Sequence, residues 1–328
     1  MTRTTCATAS TPWGPSSSWA STTPPSHGWP TPCSPCARER RRKESGKETE
    51  TMEFWTTKHV ADHVTACVSA NGEIAYLVEG SRRAALIDAG PGAGHLERVV
   101  ARLTDKPVTV LLTHGHVDHA MGAPAFDDVY MNPADRDLYR RQSPLAERRE
   151  YLRMGLGDRF DADFADLEYT EPAPDRAFAP LEEGMSFDLG GIHVEPYAFP
   201  GHTAGSMAIL LVEPRILVTG DACNNSTFLF GEESGTVEGY LASLARLRSL
   251  LAGRYDRVLI SHHQADVDPG ILDSMADVCH DVLSGRADDL PFSFMGMSAC
   301  IAKACTPRFE RLDGRDGNLV YSKAKVRG

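Results

Sequence analysis

Four apolar segments of this chain each run straight into residues able to bind a metal ion. Val108-Thr-Val-Leu-Leu112 leads into Thr113-His114-Gly115-His116-Val117-Asp118-His119, and Glu195-Pro-Tyr-Ala-Phe199 leads into Pro200-Gly201-His202. Ile216-Leu-Val218 leads into Thr219-Gly220-Asp221, and Val258-Leu-Ile260 into Ser261-His262-His263. Read as strands, these segments place a histidine or an aspartate at four separate carboxyl ends, where the open sheets of α/β proteins gather their ligands. The six other histidines, His27, His59, His63, His95, His193 and His280, lack that context and read as surface or core residues.

Spacing refines the assignment. In an extended segment residues i and i+2 face the same side, so His114 and His116 can share one ion. Asp118 and His119 fall where the chain turns into a helix and can face a second ion. Imidazole and carboxylate suit zinc, and also iron or manganese.

His114-x-His116-x-Asp118-His119, followed by His202, Asp221 and a late histidine, resembles the metallo-β-lactamase superfamily, and within it the glyoxalase II-like hydrolases. The resemblance covers about residues 64–285. It implies an α/β metallo-β-lactamase αββα sandwich, two mixed β-sheets flanked by helices. It also implies two Zn2+ ions: His114, His116 and His202 on the first, Asp118, His119 and the late histidine on the second, Asp221 bridging. Gly201-His202-Thr203-Ala204-Gly205-Ser206 is similar to the family's third-ligand motif, and Asp88 in Leu86-Ile87-Asp88-Ala89-Gly90 matches a buried aspartate behind the metal loop. The last motif departs from the family's Pro-Gly-His-Gly: Ile260-Ser261-His262-His263 favours His262 as ligand and leaves His263 as the alternative.

The implied chemistry is hydrolysis of a small carbonyl compound, a thioester, ester or lactone, by a metal-bridging hydroxide, with Asp118 as the catalytic residue that orients it. Two rivals share the ligand pattern: a persulfide dioxygenase using one iron, and a non-catalytic metal-binding module. Cys223, two residues past Asp221, is read as pocket lining or a buried thiol and not as a nucleophile. Candidate pocket walls are Asn224, Phe228 and Phe230, with Phe292-Ser-Phe-Met-Gly-Met297 as a loop able to close over the site.

The elements that must position these residues alternate strand and helix. Ile74–Val78 and Ala84–Ile87 read as short strands. Leu96, Val99, Val100 and Leu103 recur at helical spacing, as do Val237, Tyr240, Leu244, Leu247 and Leu251, and then Ile271, Met275, Val278 and Val282. Gly90-Pro-Gly92-Ala-Gly94 has G-x-G-x-G spacing and reads as a turn capping a strand, not as a dinucleotide loop. The catalytic domain is expected over 52–328, with a helical insertion about 133–165, weakly periodic and suited to a surface lid, and a C-terminal extension about 286–328.

Residues 1–51 are rich in Ser, Thr and Pro, then charged, and bury too little apolar surface to offset ordering; they read as a disordered tail, with Met52 a candidate start. Cys33-Ser-Pro-Cys36 lacks a second pair and is not read as a zinc site. The eight scattered cysteines, without a secretory signal, suit reduced thiols and a cytoplasmic location. The net charge is −11, and beyond the tail the chain carries 27 basic and 41 acidic residues. That acidic body opposes a nucleic-acid partner, since phosphate contacts need Lys and Arg. No apolar run of about 18 residues spans a membrane. A small-molecule substrate is the expected partner.

Overall fold

The computed structural model describes residues 53–294 and 296–328; the expectations for the first 51 residues, Cys33 and Cys36 included, lie outside the described residues. The first sheet is built by β1 (Trp55–Ala61), β2 (Val64–Ser69), β3 (Ile74–Glu79), β4 (Ala84–Ile87), β5 (Val108–Leu111), β6 (Asp128–Met131) and β7 (Ala179–Pro180), in that order. Its first four strands pair antiparallel and its last four parallel. Between them lie α1 (Leu96–Leu103), the one-turn α2 (Val117–Ala120), α3 (Arg136–Gln142), α4 (Leu145–Leu156) and α5 (Asp158–Asp163).

The chain then forms β8 (Phe187–Asp188), β9 (His193–Ala198), β10 (Met207–Leu211) and β11 (Ile216–Gly220). A short strand, β12 (Thr227–Leu229), precedes α6 (Val237–Leu250), β13 (Arg257–Ile260), β14 (Asp266–Val267) and α7 (Ile271–Leu283). The second sheet has the order β14-β13-β11-β10-β9-β8. The extension supplies β15 (Leu290–Phe294), β16 (Met297–Ile301) and β17 (Leu319–Tyr321), which join β12 in a third sheet of order β12-β17-β16-β15.

Side-chain alternation sorts the apolar residues into three layers, because successive residues of a strand face opposite ways. Tyr76, Val78, Ile87 and Leu111 of the first sheet meet Met207, Ile209, Val218 and Leu259 of the second in the central layer. Their neighbours Leu77, Leu86 and Val110 face outward onto α1 and α4, while Leu210, Leu217 and Val258 face α6 and α7. This is a four-layer αββα sandwich of mixed sheets, as the motif resemblance implies.

Two expectations need correction. The helical insertion is not merely a surface lid: Arg148, Leu152 and Phe160 are buried against the first sheet's outer face. The Arg148 guanidinium donates to the carbonyls of Ser143 (2.9 Å) and Thr170 (2.7 Å), which offsets part of the cost of its burial, while Nη2 has no partner. Phe292–Phe294 and Met297 belong to a β-hairpin and not to a loop.

Candidate metal centre

Two side-chain groups converge at the strand ends. His114, His116 and His202 each offer a ring nitrogen, all within 4.8 Å of one another, and Asp118, His119, Asp221 and His262 do the same with nitrogens and carboxylate oxygens. His114 and His116 follow β5, and His116 sits just before α2, whose single turn carries Asp118 and His119. His202 follows β9, Asp221 follows β11 and His262 follows β13. Gly220 must be glycine in that approach: its φ is +53°, and an added Cβ would lie 2.8 Å from Thr113 Oγ1.

Within the first group His116 Nδ1 and His202 Nε2 are 2.9 Å apart. Within the second, His262 Nε2 is 3.3 Å from both His119 Nε2 and Asp118 Oδ2. The Asp221 Oδ2 atom lies 3.2 Å from His262 Nε2, 3.6 Å from His119 Nε2 and 3.9 Å from His202 Nε2, and so faces both groups. His262 joins the cluster and His263 does not. The backbone at His263 turns left-handed (φ 59°), its N–H donates to the Gly72 carbonyl (2.8 Å), and its ring lies against Gly72.

Four of the five cluster imidazoles are held by the nitrogen that points away. His114 Nδ1 lies 3.0 Å from Thr113 Oγ1, His202 Nδ1 lies 2.9 Å from the Phe228 carbonyl, and His119 Nδ1 lies 2.8 Å from Asp88 Oδ2. His116 Nε2 faces the Glu233 carboxylate at 3.5 Å. Asp88, itself left-handed (φ 63°), also accepts from the Thr113 N–H at 2.7 Å, tying the β4 end to the metal loop. Outer partners of this kind fix ring orientation and tautomer in metal sites.

The donor set fits divalent cations. His114 Nε2 is buried with no hydrogen-bond partner in the protein, an arrangement that costs free energy unless something binds there. Burial pushes His114 well down, helped by the neighbouring imidazoles, and holds His202 down to about 4, so these two rings offer neutral nitrogens. In the second group burial opposes charge, yet His262 and His119 hold Asp221 well below the usual carboxylate range, and His119 and His262 do the same for Asp118. Burial likewise opposes the His119 proton, but Asp118, Asp88 and Asp221 raise it well above an ordinary histidine. Carboxylates that stay ionised while buried are suited to a cation.

Three further residues meet the cluster, and the sequence gives no signal for them. Asp135, 1% exposed, accepts from the N–H groups of Gly115 (2.9 Å) and Gly205 (2.7 Å) and from Thr203 Oγ1 (2.7 Å), stitching the His114–His116 loop to the His202 loop. Tyr151, on α4, places its hydroxyl 3.1 Å from Asp118 Oδ2 and 2.5 Å from Glu73 Oε1. Glu233 comes from the loop before α6, and its hydrogen bond to His116 draws its carboxyl down to about 2. Asn224, expected as a wall, donates to Asp221 Oδ1 at 3.1 Å. Cys223 is wholly buried, and burial pushes its thiol up to about 12, which suits packing and not nucleophilic attack.

A mixed-sheet αββα sandwich with a histidine-aspartate cluster at one edge defines a class of metal-binding protein. The sequence profile of the metallo-beta-lactamase superfamily matches residues 73–262, more than half of the chain, and the chain belongs to that superfamily. An uncharacterized protein of Mycobacterium tuberculosis is 32% identical over 199 residues, covering 57% of this chain and 79% of that protein. The acyl-coenzyme A thioesterase MBLAC2 of Gallus gallus is 28% identical over 218 residues, covering 59% and 73%. Among solved structures, the sec-alkylsulfatase Pisa1 from Pseudomonas superposes with a TM-score of 0.55 at 17% identity, covering 70% of this chain and 42% of that one, a likeness of fold.

Proposed function

We propose that the chain is a dinuclear metal hydrolase, with zinc as its ion, of the glyoxalase II-like kind, and that it cleaves small activated carbonyl compounds, thioesters ahead of esters, lactones and β-lactams. The observation that carries this reading is the pair of ligand groups flanking Asp221. His114, His116 and His202 would hold one ion, Asp118, His119 and His262 the other, and Asp221 would reach both. Two such cations, when bound, lower the pKa of water from about 15.7 toward 7 and polarise a carbonyl.

The chain's own residues supply the rest. Asp118 is the group placed to orient the attacking water, and the Tyr151 hydroxyl steadies its carboxylate. Asp88, Glu233 and the Phe228 carbonyl keep the imidazoles aimed inward, so the ligands need little rearrangement before reaction. The similarity to the acyl-coenzyme A thioesterase of Gallus gallus supports the thioester preference. The thioesterase relative, and not the ligand set that both readings share, favours hydrolysis over a single-iron dioxygenase. The acidic body supports a small-molecule substrate and not a nucleic acid.

A panel of thioesters, esters, lactones and β-lactams tests the reading. Zinc-loaded protein should turn over thioesters fastest, a chelator should abolish turnover, and zinc should restore it. Asp118→Asn should keep much of its metal and lose activity. Turnover of none of these, with sulfite formed from glutathione persulfide by iron-loaded protein, would replace the hydrolase reading with the dioxygenase.

A further inference from the structure

Four phenylalanine rings stand together at the protein surface, two of them on the segment whose carbonyl meets His202. Phe228 and Phe230 flank the buried Leu229, so strand alternation points both the same way, and Phe292 and Phe294 flank the exposed Ser293 on β15 in the same manner. All six pairings of these rings have centroid separations between 4.9 and 6.5 Å. Yet β12 and β15 are the two outer strands of the third sheet. In a flat sheet they would stand about 14 Å apart, three spacings of about 4.8 Å. The β15–β16 hairpin therefore curls over, bringing its rings onto those of β12.

This cluster is not ordinary core. All four rings remain partly exposed, whereas Leu319, Val320 and Tyr321 of the same sheet are buried. Leu290 (37% exposed) and Met297 (40% exposed) sit on the same hairpin, two of the five most exposed large apolar residues among those described. A contiguous apolar face left at the surface marks a binding site more often than a packing accident. Its position says which one. The Phe228 carbonyl faces His202 Nδ1 at 2.9 Å, and the same segment continues through Phe230 to Glu233 beside His116. Phe228 and Phe230 thus stand on a segment that borders the ligands His202 and His116, and a molecule reacting at the centre has a neighbouring apolar face on which to lay a tail.

We infer that Phe228, Phe230, Phe292 and Phe294 form the subsite for the acyl chain, and that the chain prefers thioesters of medium-length, unbranched apolar acids over acetyl thioesters. This rests on the thioester reading above and names the part of the substrate that it left open. The curled hairpin sets the reach of the subsite. The rings supply apolar contact without polar demands, so selection is by chain length and not by a headgroup.

The test uses the full chain and N-acetylcysteamine thioesters of acetate, butyrate, hexanoate and octanoate. The value of kcat/KM should rise about three- to fourfold per added methylene, the transfer free energy of one buried CH2. In Phe292→Ala/Phe294→Ala the octanoyl-to-acetyl ratio should collapse at least tenfold, with zinc content retained. Because that pair could disturb the hairpin, Phe294→Trp provides a second measurement. Its fluorescence, compared with wild type, should shift on adding the unreactive S-octyl thioether of N-acetylcysteamine and not the S-methyl one. Equal kcat/KM for all lengths together with no shift would overturn the subsite and leave the hydrolase reading intact. No turnover of any thioester with a clear S-octyl shift would keep the subsite and remove that reading. A fluorescence change that follows protein concentration instead of thioether concentration would assign the face to a second copy of the chain and overturn the inference.

Discussion

An imidazole binds a metal through one nitrogen and needs something to hold the other, and at this centre that need is met in three ways for four of the five ligand rings. A threonine hydroxyl backs His114, a backbone carbonyl His202, and carboxylates His119 and His116. The ligand residues themselves were legible in the sequence because each follows a short apolar strand, a context in which histidine and aspartate have few packing roles. Their supports were not, except Asp88. Tyr151 lies in a helix dense with charge, Asp135 in Asn132-Pro-Ala-Asp135, and Glu233 in Gly231-Glu-Glu-Ser-Gly235, and none of these settings differs from an ordinary surface loop or turn. Tyr151 gives the first prediction at this scale. Tyr151→Phe removes the hydroxyl that reaches Asp118, and should weaken the second ion about tenfold or more in a chelator competition titration while sparing the first. Equal affinity at both positions would show that Tyr151 only packs. The thiols give another. Burial pushes Cys67 and Cys223 up to about 12, so at pH 8 both remain protonated and poorly nucleophilic. Iodoacetamide should label the half-buried Cys300 and Cys305 in the folded protein well before either. Early labelling of Cys223 would mean that it opens to solvent.

Elements were read from the sequence where their apolar period was clean and missed where it was not. Tyr240, Leu244 and Leu247 recur at helical spacing on α6, and that helix appears where the spacing places it. By contrast β1 is an edge strand exposed along most of its length, so it shows no alternation to read. In α4 the residue that a regular pattern would make apolar is Arg148, buried through its carbonyl contacts, and the helix therefore looks like a surface element when it is partly core. Asp135, at the start of the insertion, measures how much the insertion matters to the centre. Asp135→Ala strands two backbone N–H groups, each worth about 1–3 kcal/mol when left unsatisfied, while Thr203 Oγ1 keeps its 2.8 Å contact with Ser206 Oγ. Relaxation and water entry reduce the sum, so a loss of about 3 kcal/mol in urea unfolding is expected, with Asp135→Asn losing less. A change under 0.5 kcal/mol would show that the two metal loops are held by other means.

At the scale of the whole molecule the sandwich brings ligands far apart in the chain to one edge: His114 and His262 are separated by 148 positions. The centre itself is a costly assembly without cations, with paired buried carboxylates and an unpartnered His114 nitrogen. Ligand binding to the folded state alone stabilises it by about 2.7 kcal/mol at a hundredfold excess over Kd, so chelation should lower the melting temperature by several degrees. Among the described residues no helix is long and apolar enough to cross a membrane. Removing residues 1–51 should leave melting temperature and metal content unchanged; a drop of several degrees would mean that the segment packs on the sandwich.

The central claim is that two ligand groups hold two ions, and metal stoichiometry in protein purified without added metal tests it most directly. Wild type and His263→Ala should each carry about two zinc per chain, while His262→Ala should carry about one. One iron per chain in the wild type, or the larger loss following His263→Ala, would contradict the account.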